Sequence, residues 1–175
     1  MLDIDISKFI RTIPDYPVKG VNFYDLNSLF ASNIWCDVIE ELAEQLIDAG
    51  DNPTHLVGLE SRGFVVGAAL SHAMSLPFVM IRKKGAKYPG KLLEETYELE
   101  YGEDTLTLQE GILGHTSRVI LTDDLIATGG SMLAAKRLVE QTEARVLGGA
   151  TVIALEYLIP DSFNIPYITM CGVTE

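Results

Sequence analysis

The amino-acid sequence predicts an open α/β fold, in which helices cover both faces of a central parallel sheet. Short, mostly apolar runs such as His55–Leu59 and Val119–Leu121 are typical of strands that are buried on both faces. Stretches with helical spacing of apolar residues separate these runs, as crossovers between parallel strands require. Alternating side-chain character on both sides of positions 102–104 adds one antiparallel hairpin.

The first predicted element is a short amphipathic helix over Asp5–Ile13, where apolar residues recur at helical spacing until Pro14 ends the pattern. A loop marked by proline and glycine follows. A longer helical pattern then runs from Asn33 to Ala49 and stops before Gly50, a residue type that often ends helices. Helices are therefore expected on both sides of this loop, before the first buried strand.

Strands and helices then alternate. The predicted elements are a strand at His55–Leu59, a helix at about Gly63–Met74, strands at Phe78–Ile81 and Val119–Leu121, a helix from Ser131 to about Thr142, and a strand at Val146–Leu155. Right-handed crossovers are expected between the parallel strands.

The segment between the third and fourth of these elements and the last 20 residues have different patterns. Thr96–Tyr101 and Thr105–Gln109 flank a turn at Gly102–Asp104, which we interpret as a flap beside the main sheet. The C-terminal 20 residues contain Pro160 and Pro166 and predict no defined element.

Length and composition predict one domain, residues 1–175, with the flap region at about 82–109 inside it. With 47% hydrophobic and 22% charged residues, the composition indicates a globular chain with a packed core. Low-complexity and disordered classes are therefore excluded.

The protein is acidic, with 13 Lys and Arg against 25 Asp and Glu, a net charge of −12. A field of this sign repels nucleic acid and anionic membranes, so we expect neither as a partner. Five of the 13 basic residues nevertheless fall within positions 82–91, namely Arg82, Lys83, Lys84, Lys87 and Lys91. A cationic segment on an acidic protein suits a small polyanion.

Cysteine usage and the N-terminal sequence indicate the cytosol. Cys36 and Cys171 are too few for a disulfide framework or a cysteine zinc site, and the three histidines show no ligand spacing. The N-terminus lacks the basic and long apolar regions of a signal peptide, and no window approaches about 20 uninterrupted apolar residues. We expect neither secretion nor a membrane span.

The segment VILTDDLIATGGS, residues 119–131, carries the main chemical signal. A buried strand delivers Asp123 and Asp124 to its carboxyl end, where ligands bind in open α/β sheets. Gly129 and Gly130 let the backbone curl around an anion, and free N–H groups at the start of the next helix point toward a phosphate. An ordinary strand, turn and helix would explain the glycines alone.

Two adjacent carboxylates in front of a phosphate cradle need another partner, because they would repel the phosphate. Ribose hydroxyls, Mg²⁺ or both would satisfy them. The hydroxyls of Thr128 and Ser131 can add donors to the phosphate. The combination predicts a sugar phosphate as the ligand.

These residues resemble the phosphoribosyl-pyrophosphate signature of type I phosphoribosyltransferases, and the remaining motifs resemble the adenine-specific branch of that family. GLESRGF (58–64), FVMIRKKG (78–85) and YELEYGEDTLTLQ (97–109) are similar to its pyrophosphate loop, basic strand end and flexible hood. The resemblance covers residues from about Pro14 to Leu155. It implies the type I phosphoribosyltransferase fold, an open parallel sheet with an antiparallel hood hairpin.

For the donor, the resemblance implies that Asp123 and Asp124 hold the ribose 2′ and 3′ hydroxyls. The 5′-phosphate would be bound by Ala127, Thr128, Gly129, Gly130 and Ser131. Pyrophosphate would be bound by Glu60, Ser61, Arg62, Arg82, Lys83 and Lys87, with a cis peptide at Glu60–Ser61. Mg²⁺ is the implied cofactor, held by donor oxygens more than by protein side chains, so no residue is assigned as a metal ligand.

For the base, the resemblance implies that Glu100 is the catalytic acid/base near N7 of a purine and that Tyr101 helps to close the hood. The backbone beside Asn22 would read the edge of the base, and Phe23 would stack on its ring. GVNFYD (20–25) departs from the usual GVVFRD of the family at Asn22 and Tyr24. The base is therefore open between adenine and a 6-oxopurine or another heterocycle.

The implied reaction converts adenine and 5-phosphoribosyl 1-pyrophosphate into AMP and pyrophosphate in purine salvage, and the implied assembly is a homodimer. A regulator that senses the donor without catalysis is the remaining alternative. Such a regulator would carry an additional DNA-binding domain or a basic face, and the 175 residues at a charge of −12 supply neither. The presence of Glu100 also favours an enzyme.

Overall fold

The computed structural model describes residues 5–98 and 102–174, and the elements below belong to these residues. The strands are β1 (Arg11–Ile13), β2 (Phe23–Asp25), β3 (His55–Leu59), β4 (Phe78–Lys83), β5 (Leu92–Glu98), β6 (Glu103–Gln109), β7 (Arg118–Thr122), β8 (Leu125–Ile126), β9 (Arg145–Leu155) and β10 (Tyr167–Val173). The α-helices are α1 (Asn27–Phe30), α2 (Trp35–Asp48), α3 (Gly63–Met74) and α4 (Gly130–Glu140), and 3-10 turns lie at Ser7–Phe9 and Glu156–Leu158.

The main sheet has the strand order β10-β9-β7-β3-β4-β6-β5, and β8 pairs with β9 beyond the end of β7. Neighbouring strands from β10 to β4 are parallel, and β6 and β5 continue the sheet in antiparallel pairing. The strands β1 and β2 form a separate antiparallel pair. The predicted parallel sheet with an antiparallel hairpin is confirmed.

Both faces of the central strands are covered. Along β7, Val119 and Leu121 belong to the core beneath α4 and the hairpin of β5 and β6, which we call the hood hairpin. Ile120, between them, belongs to the core beneath α2 and α3. Because successive side chains of a strand point to opposite faces, a continuous apolar run serves both cores.

The predicted central elements agree with the structure within one or two residues at most ends. The turn of the hood hairpin differs, because β6 already begins at Glu103 and pairs Asp104 with Tyr97. The C-terminal residues, for which no element was predicted, contain the edge strand β10. None of the helices in the described ranges has the length and apolar character of a membrane span.

The predicted helix over Asp5–Ile13 is wrong. Only a 3-10 turn forms, and the chain then extends into β1, where Arg11 pairs with Asp25 of β2. The Arg11 guanidinium also lies 2.6 Å from an Asp25 carboxylate oxygen. Pro14 favours this outcome, because a residue that precedes proline is driven toward extended backbone.

Candidate functional site

The site lies where β3 and β7 end. These strands are parallel neighbours, with Gly58 opposite Thr122, so the loops that follow them leave the sheet at the same edge. The chain proceeds from β3 to β4 on one side, whereas β7 continues to β9 on the other. Such a reversal of strand order opens a crevice in which α/β proteins bind ligands.

Asp123 and Asp124 occupy a break between β7 and β8, and the backbone of β9 holds this break in place. The Asp123 N–H donates to the Ala150 carbonyl at 3.2 Å. The N–H groups of Val152 and Ile153 both donate to the Asp124 carbonyl at 3.1 Å. The main chain that carries the two carboxylates is thus held by β9.

The environment disfavours charge on both carboxyl groups. Burial and the adjacent Asp124 carboxylate raise the pKa of Asp123 well above its usual value. Burial also raises the pKa of Asp124, and the Arg62 guanidinium opposes this shift. Arg62 Nε lies 3.0 Å from Asp124 Oδ2 but is not aligned for a hydrogen bond, so among the described residues this buried oxygen lacks a hydrogen-bond partner. A hydrogen bond from a ligand hydroxyl would satisfy this oxygen.

The loop after β3 forms a second polar site. Its Glu60–Ser61 peptide is cis, which confirms the prediction. The Glu60 carboxylate accepts from the Arg82 guanidinium at 2.9 and 3.1 Å and from the Lys83 backbone N–H at 2.7 Å. This loop borders a cavity of about 260 Å³ whose wall includes Ser61, Arg62 and Asp124.

Close packing sets the distance between the two loops. A Cβ atom on Gly63, the first residue of α3, would lie 2.6 Å from the Thr122 carbonyl oxygen and 3.0 Å from Asp123 Oδ1. Real Cβ atoms do not approach backbone oxygen so closely. Glycine at this position therefore allows the start of α3 to lie against the aspartate segment.

The glycine loop before α4 has two different glycines. Gly129 has φ of +79°, and the Phe163 ring occupies the place where its Cβ would be. Gly130 has open space, since the nearest atom to its Cβ position is Thr128 Oγ1 at 3.7 Å. The first glycine is required by the fold, and the second leaves room for a ligand at the start of α4.

A larger cavity of about 660 Å³ connects this loop to the base-recognition segment predicted at 20–25. Its wall includes Asn22, Phe23, Asp123 and the loop residues 127–131. The Phe23 ring packs edge-on against Tyr16, with centroids 5.2 Å apart. The structure thus brings the predicted base and phosphate segments to one cavity.

Arg62 connects the base segment to the aspartates. Its guanidinium carbon lies 4.9 Å from the centroid of the Phe23 ring, and one of its N–H groups donates to the Tyr24 carbonyl at 3.1 Å. The same side chain faces Asp124. Arg62 therefore lies in the wall that the two cavities share rather than in the pyrophosphate loop alone.

The three predicted basic residues at positions 82, 83 and 87 differ in how close they lie to the cavities. Lys83 lines the smaller cavity, and its Nζ lies 3.3 Å from Asp104 Oδ2. Arg82 is engaged by Glu60. Lys87 is exposed and lines neither cavity. Glu100 and Tyr101 lie outside the described residues, so their predicted roles stay predictions.

Sequence reasoning missed two tyrosines of the site. Tyr97 of β5 lines both cavities, and the alternating pattern of the hood hairpin could have identified it as an inward-facing residue. Tyr157 lines the larger cavity beside Tyr24, and burial first and the neighbouring Tyr157 second raise the pKa of Tyr24. Tyr157 follows β9 without any motif, so no local signal marks it.

Comparisons with known proteins point in one direction. The family model described as the phosphoribosyl transferase domain matches residues 25–157. The adenine phosphoribosyltransferase of Rhodospirillum centenum is 45% identical over 156 residues, which cover 89% of this chain and 90% of that protein.

Two solved structures have the same fold. Adenine phosphoribosyltransferase from Rhodothermus marinus has a TM-score of 0.85 and 37% identity, covering 95% of this chain and 96% of that one. The enzyme from Saccharomyces cerevisiae, in complex with an imino-altritol bisphosphate and adenine, has a TM-score of 0.86 and 35% identity, covering 94% and 96%. With identity of this level over nearly the whole length, the chain belongs to the adenine phosphoribosyltransferase family.

Proposed function

We propose that this protein transfers the phosphoribosyl group of 5-phosphoribosyl 1-pyrophosphate to adenine, forming AMP and pyrophosphate in purine salvage. The observation that carries the proposal is the pair of adjoining cavities with Asp123 in their shared wall. One cavity connects a base segment to a glycine loop, and the other is bordered by a polar loop. The reaction needs one region for the base and the ribose phosphate and a second region for the pyrophosphate, and the two cavities provide them.

The donor would span both cavities. Its 5′-phosphate would bind the glycine loop at the start of α4, where Gly130 leaves room. Its pyrophosphate would bind Ser61, Arg62 and Lys83 in the smaller cavity. Its ribose hydroxyls would donate to Asp123 and Asp124, and such a donor would satisfy the buried Asp124 Oδ2 atom, which lacks a hydrogen bond among the described residues.

Mg²⁺ fits this arrangement, because the Asp124 carboxylate is a hard oxygen ligand beside the pyrophosphate cavity. When bound, the ion would offset negative charge on the leaving pyrophosphate. Most of its ligands would be donor oxygens, with the two carboxylates facing the same region. Arg62 and Lys83 would hold the pyrophosphate itself.

The base would lie beside Phe23, which the backbone at Asn22 and the Arg62 guanidinium flank. N9 of adenine would attack C1′ of the ribose as the bond from C1′ to pyrophosphate breaks. Glu100 would accept the proton that leaves N7, and Tyr101 would help the hood to exclude water. Exclusion of water protects the donor from hydrolysis.

Product analysis with labelled donor, Mg²⁺ and a panel of adenine, hypoxanthine and guanine tests the proposal. We expect AMP as the main product and little reaction of the two 6-oxopurines. Faster formation of IMP or GMP would instead assign a 6-oxopurine enzyme. This outcome is included because Asn22 and Tyr24 depart from the usual base-recognition sequence of the family. Absence of any nucleotide product would leave the donor-sensing regulator.

Glu100→Gln separates an enzyme from a regulator. Loss of the carboxylate should lower kcat by about 10²- to 10⁴-fold with little effect on donor affinity, because the proton transfer belongs to the chemical step. Single-turnover formation of AMP is the measurement. The matched control is Glu103→Gln, which makes the same substitution at an exposed glutamate of β6 and should retain wild-type rates. A fully active Glu100→Gln variant would contradict the assigned role.

The proposal includes a homodimer in the cytosol, on the strength of the family resemblance and of the cysteine usage. Sedimentation velocity should give twice the chain mass of 19.2 kDa. A species at the mass of one chain would contradict the dimer without affecting the assigned reaction.

A further inference from the structure

Tyr97 joins the hood hairpin to the phosphate loop by a contact that the substrate roles above do not use. Its side chain is 8% exposed, and its ring packs in the core beneath α4. Its hydroxyl oxygen lies 3.2 Å from Ser131 Oγ, in the first turn of α4, and 3.5 Å from Asp104 Oδ2 on β6. The residue thus touches the loop that would hold the 5′-phosphate from the side of the hood.

We propose that Tyr97 is a positioning residue that orients the Ser131 hydroxyl toward the 5′-phosphate. The contact between the hood hairpin and α4 then depends on whether this phosphate is bound. The inference rests on the proposed function. It concerns how one donor of the phosphate loop is oriented, which none of the motifs specifies.

Proton counting gives the direction of the contact. Ionised phosphate oxygens only accept hydrogen bonds, so Ser131 can bind the phosphate only by donating its single hydroxyl proton. The Ser131 oxygen is then left as an acceptor, and the Tyr97 hydroxyl at 3.2 Å can donate to it. A bound phosphate therefore selects the orientation in which Tyr97 donates to Ser131.

The other neighbour of Tyr97 does not depend on it. Asp104 accepts the Thr105 backbone N–H at 2.8 Å and pairs with Lys83 at 3.3 Å, whereas its contact with Tyr97 is long at 3.5 Å. Removal of the Tyr97 hydroxyl leaves Asp104 with these partners. The loss is then felt at Ser131, which is part of the phosphate loop.

Tyr97 has one hydroxyl proton, which it can donate either to Asp104 on the side of the pyrophosphate cavity or to Ser131 in the phosphate loop. Asp104 in turn pairs with Lys83. Tyr97 and Asp104 belong to the two strands of the hood hairpin, β5 and β6, and Lys83 belongs to the neighbouring strand β4. Glu100 follows Tyr97 by three positions in the chain. Fixing Tyr97 against α4 therefore anchors the strand that leads to the proposed acid/base.

Calorimetric titration of AMP and, separately, of Mg²⁺-pyrophosphate tests the proposal in the full-length protein. Tyr97→Phe keeps the ring and removes the hydroxyl. We expect it to weaken AMP binding by about 3- to 10-fold, the loss usual for one hydrogen bond, and to change pyrophosphate binding less than about twofold. The KM for the donor should rise by a similar factor, with kcat less affected.

Two comparisons make the result specific. In a Ser131→Ala background, Tyr97→Phe should have no further effect on AMP binding, because its partner is gone. Tyr88→Phe is the matched control, since this tyrosine hydroxyl donates to the Met80 carbonyl and lines neither cavity. It should bind AMP as the wild type does. Should Tyr97→Phe fold poorly, Tyr97→Met is the second variant, because it removes the hydroxyl and keeps a large, adaptable apolar side chain.

Three results would overturn the proposal. Unchanged AMP affinity in a folded Tyr97→Phe or Tyr97→Met variant would remove the positioning role. So would an equal loss for pyrophosphate, or an undiminished effect in the Ser131→Ala background. These results leave the proposed function intact if the wild type binds AMP and forms it from adenine. A wild type that does neither would overturn both.

Discussion

Asp123 and Asp124 illustrate, at the scale of the residue, how a binding site can oppose stability. Both carboxyl groups are held in the folded protein where burial disfavours their charge, and the Asp124 carboxylate further disfavours charge on Asp123. A folded-state pKa above the unfolded value favours folding at low pH. That contribution disappears as the pH rises through the folded-state pKa, and the charged pair then destabilises the fold.

Asp123→Asn should therefore stabilise the unliganded protein at pH 8. An amide is neutral at every pH and can still accept the Asp124 N–H, which donates to Asp123 Oδ1 at 2.9 Å. We expect a gain of about 1 kcal/mol, or ~2–4 °C in Tm, that shrinks toward pH 4. Thermal unfolding across this pH range measures it.

The same Asp123→Asn variant should weaken donor binding, because one acceptor oxygen becomes an NH₂ group that cannot accept from a ribose hydroxyl. A Tm difference that grows as the pH falls would contradict the assigned direction of the pKa shift. The control for a simple change in net charge is Asp51→Asn, because Asp51 is exposed and lines neither cavity.

The two glycines of the phosphate loop should respond differently to substitution. Gly130→Val meets open space, so Tm should stay within about 2 °C while donor affinity falls about tenfold or more, since the side chain blocks the phosphate. Gly129→Ala should lower Tm as well, because its φ is positive and Phe163 fills the Cβ position. Melting curves and calorimetry on both variants separate these effects. Equal destabilisation by both would contradict the distinction.

At the scale of the element, the end of β4 holds the loop after β3. Arg82 forks onto the Glu60 carboxylate, and the Lys83 backbone donates to it, so this ion pair sets the shape of the pyrophosphate loop. The pairing lowers the pKa of Glu60 through the Arg82 hydrogen bonds first. Arg82 is thereby a support of the loop in this structure, in addition to its predicted contact with pyrophosphate.

A double-mutant cycle distinguishes support from contact. Arg82→Ala and Glu60→Ala should each weaken pyrophosphate binding by about tenfold, and the double variant should be no worse than either, because both remove the same support. Calorimetry with Mg²⁺-pyrophosphate gives the constants. Lys84→Ala is the control, since Lys84 pairs with the exposed Glu94. An undiminished Arg82→Ala effect in the Glu60→Ala background would assign Arg82 to direct contact.

Element prediction succeeded where one local pattern determined the outcome. The run at Val119–Leu121 is buried on both faces, and Gly50 follows a helix of regular period, so neither needed tertiary information. Asp5–Ile13 failed because a partner strand remote in sequence competed with a helical pattern. Strand β10 was missed because its side chains are only partly buried at a sheet edge.

The site was predicted to the extent that its residues are contiguous in sequence. The aspartates, the glycine loop and the Glu60–Ser61 peptide each lie within one short segment, and the structure brings these segments to the two cavities. The ion pair of Arg82 with Glu60 and the contact of Tyr97 with Ser131 join segments that are 22 and 34 residues apart. No spacing in the sequence encodes such contacts.

At the scale of the whole molecule, the donor should be a strong stabiliser. A ligand at 100 times its dissociation constant contributes about 2.7 kcal/mol, which for a chain of this size is roughly 5–10 °C in Tm. We expect this shift with phosphoribosyl pyrophosphate and Mg²⁺ and a smaller one in EDTA. Differential scanning fluorimetry measures it, and no shift under either condition would contradict donor binding.

Because the molecule is acidic, stabilisation by the anionic donor depends on the basic side chains inside the smaller cavity. A net charge of −12 repels a polyanion at long range, whereas the guanidinium of Arg62 and the ammonium of Lys83 attract it within the smaller cavity. Long-range repulsion is screened within about 10 Å at 0.1 M salt. Contacts inside the cavity are screened less, so donor affinity is expected to survive physiological salt.

The packing of Phe163 against Gly129 also determines how the gene tolerates damage. With a premature stop codon at position 161, every binding motif from residues 20–25 to residues 127–131 would still be translated. The shortened product would nevertheless lose Phe163, which backs the phosphate loop, and the whole of β10. In a genetic screen, late truncations should therefore fall in the same class as substitutions of the aspartates.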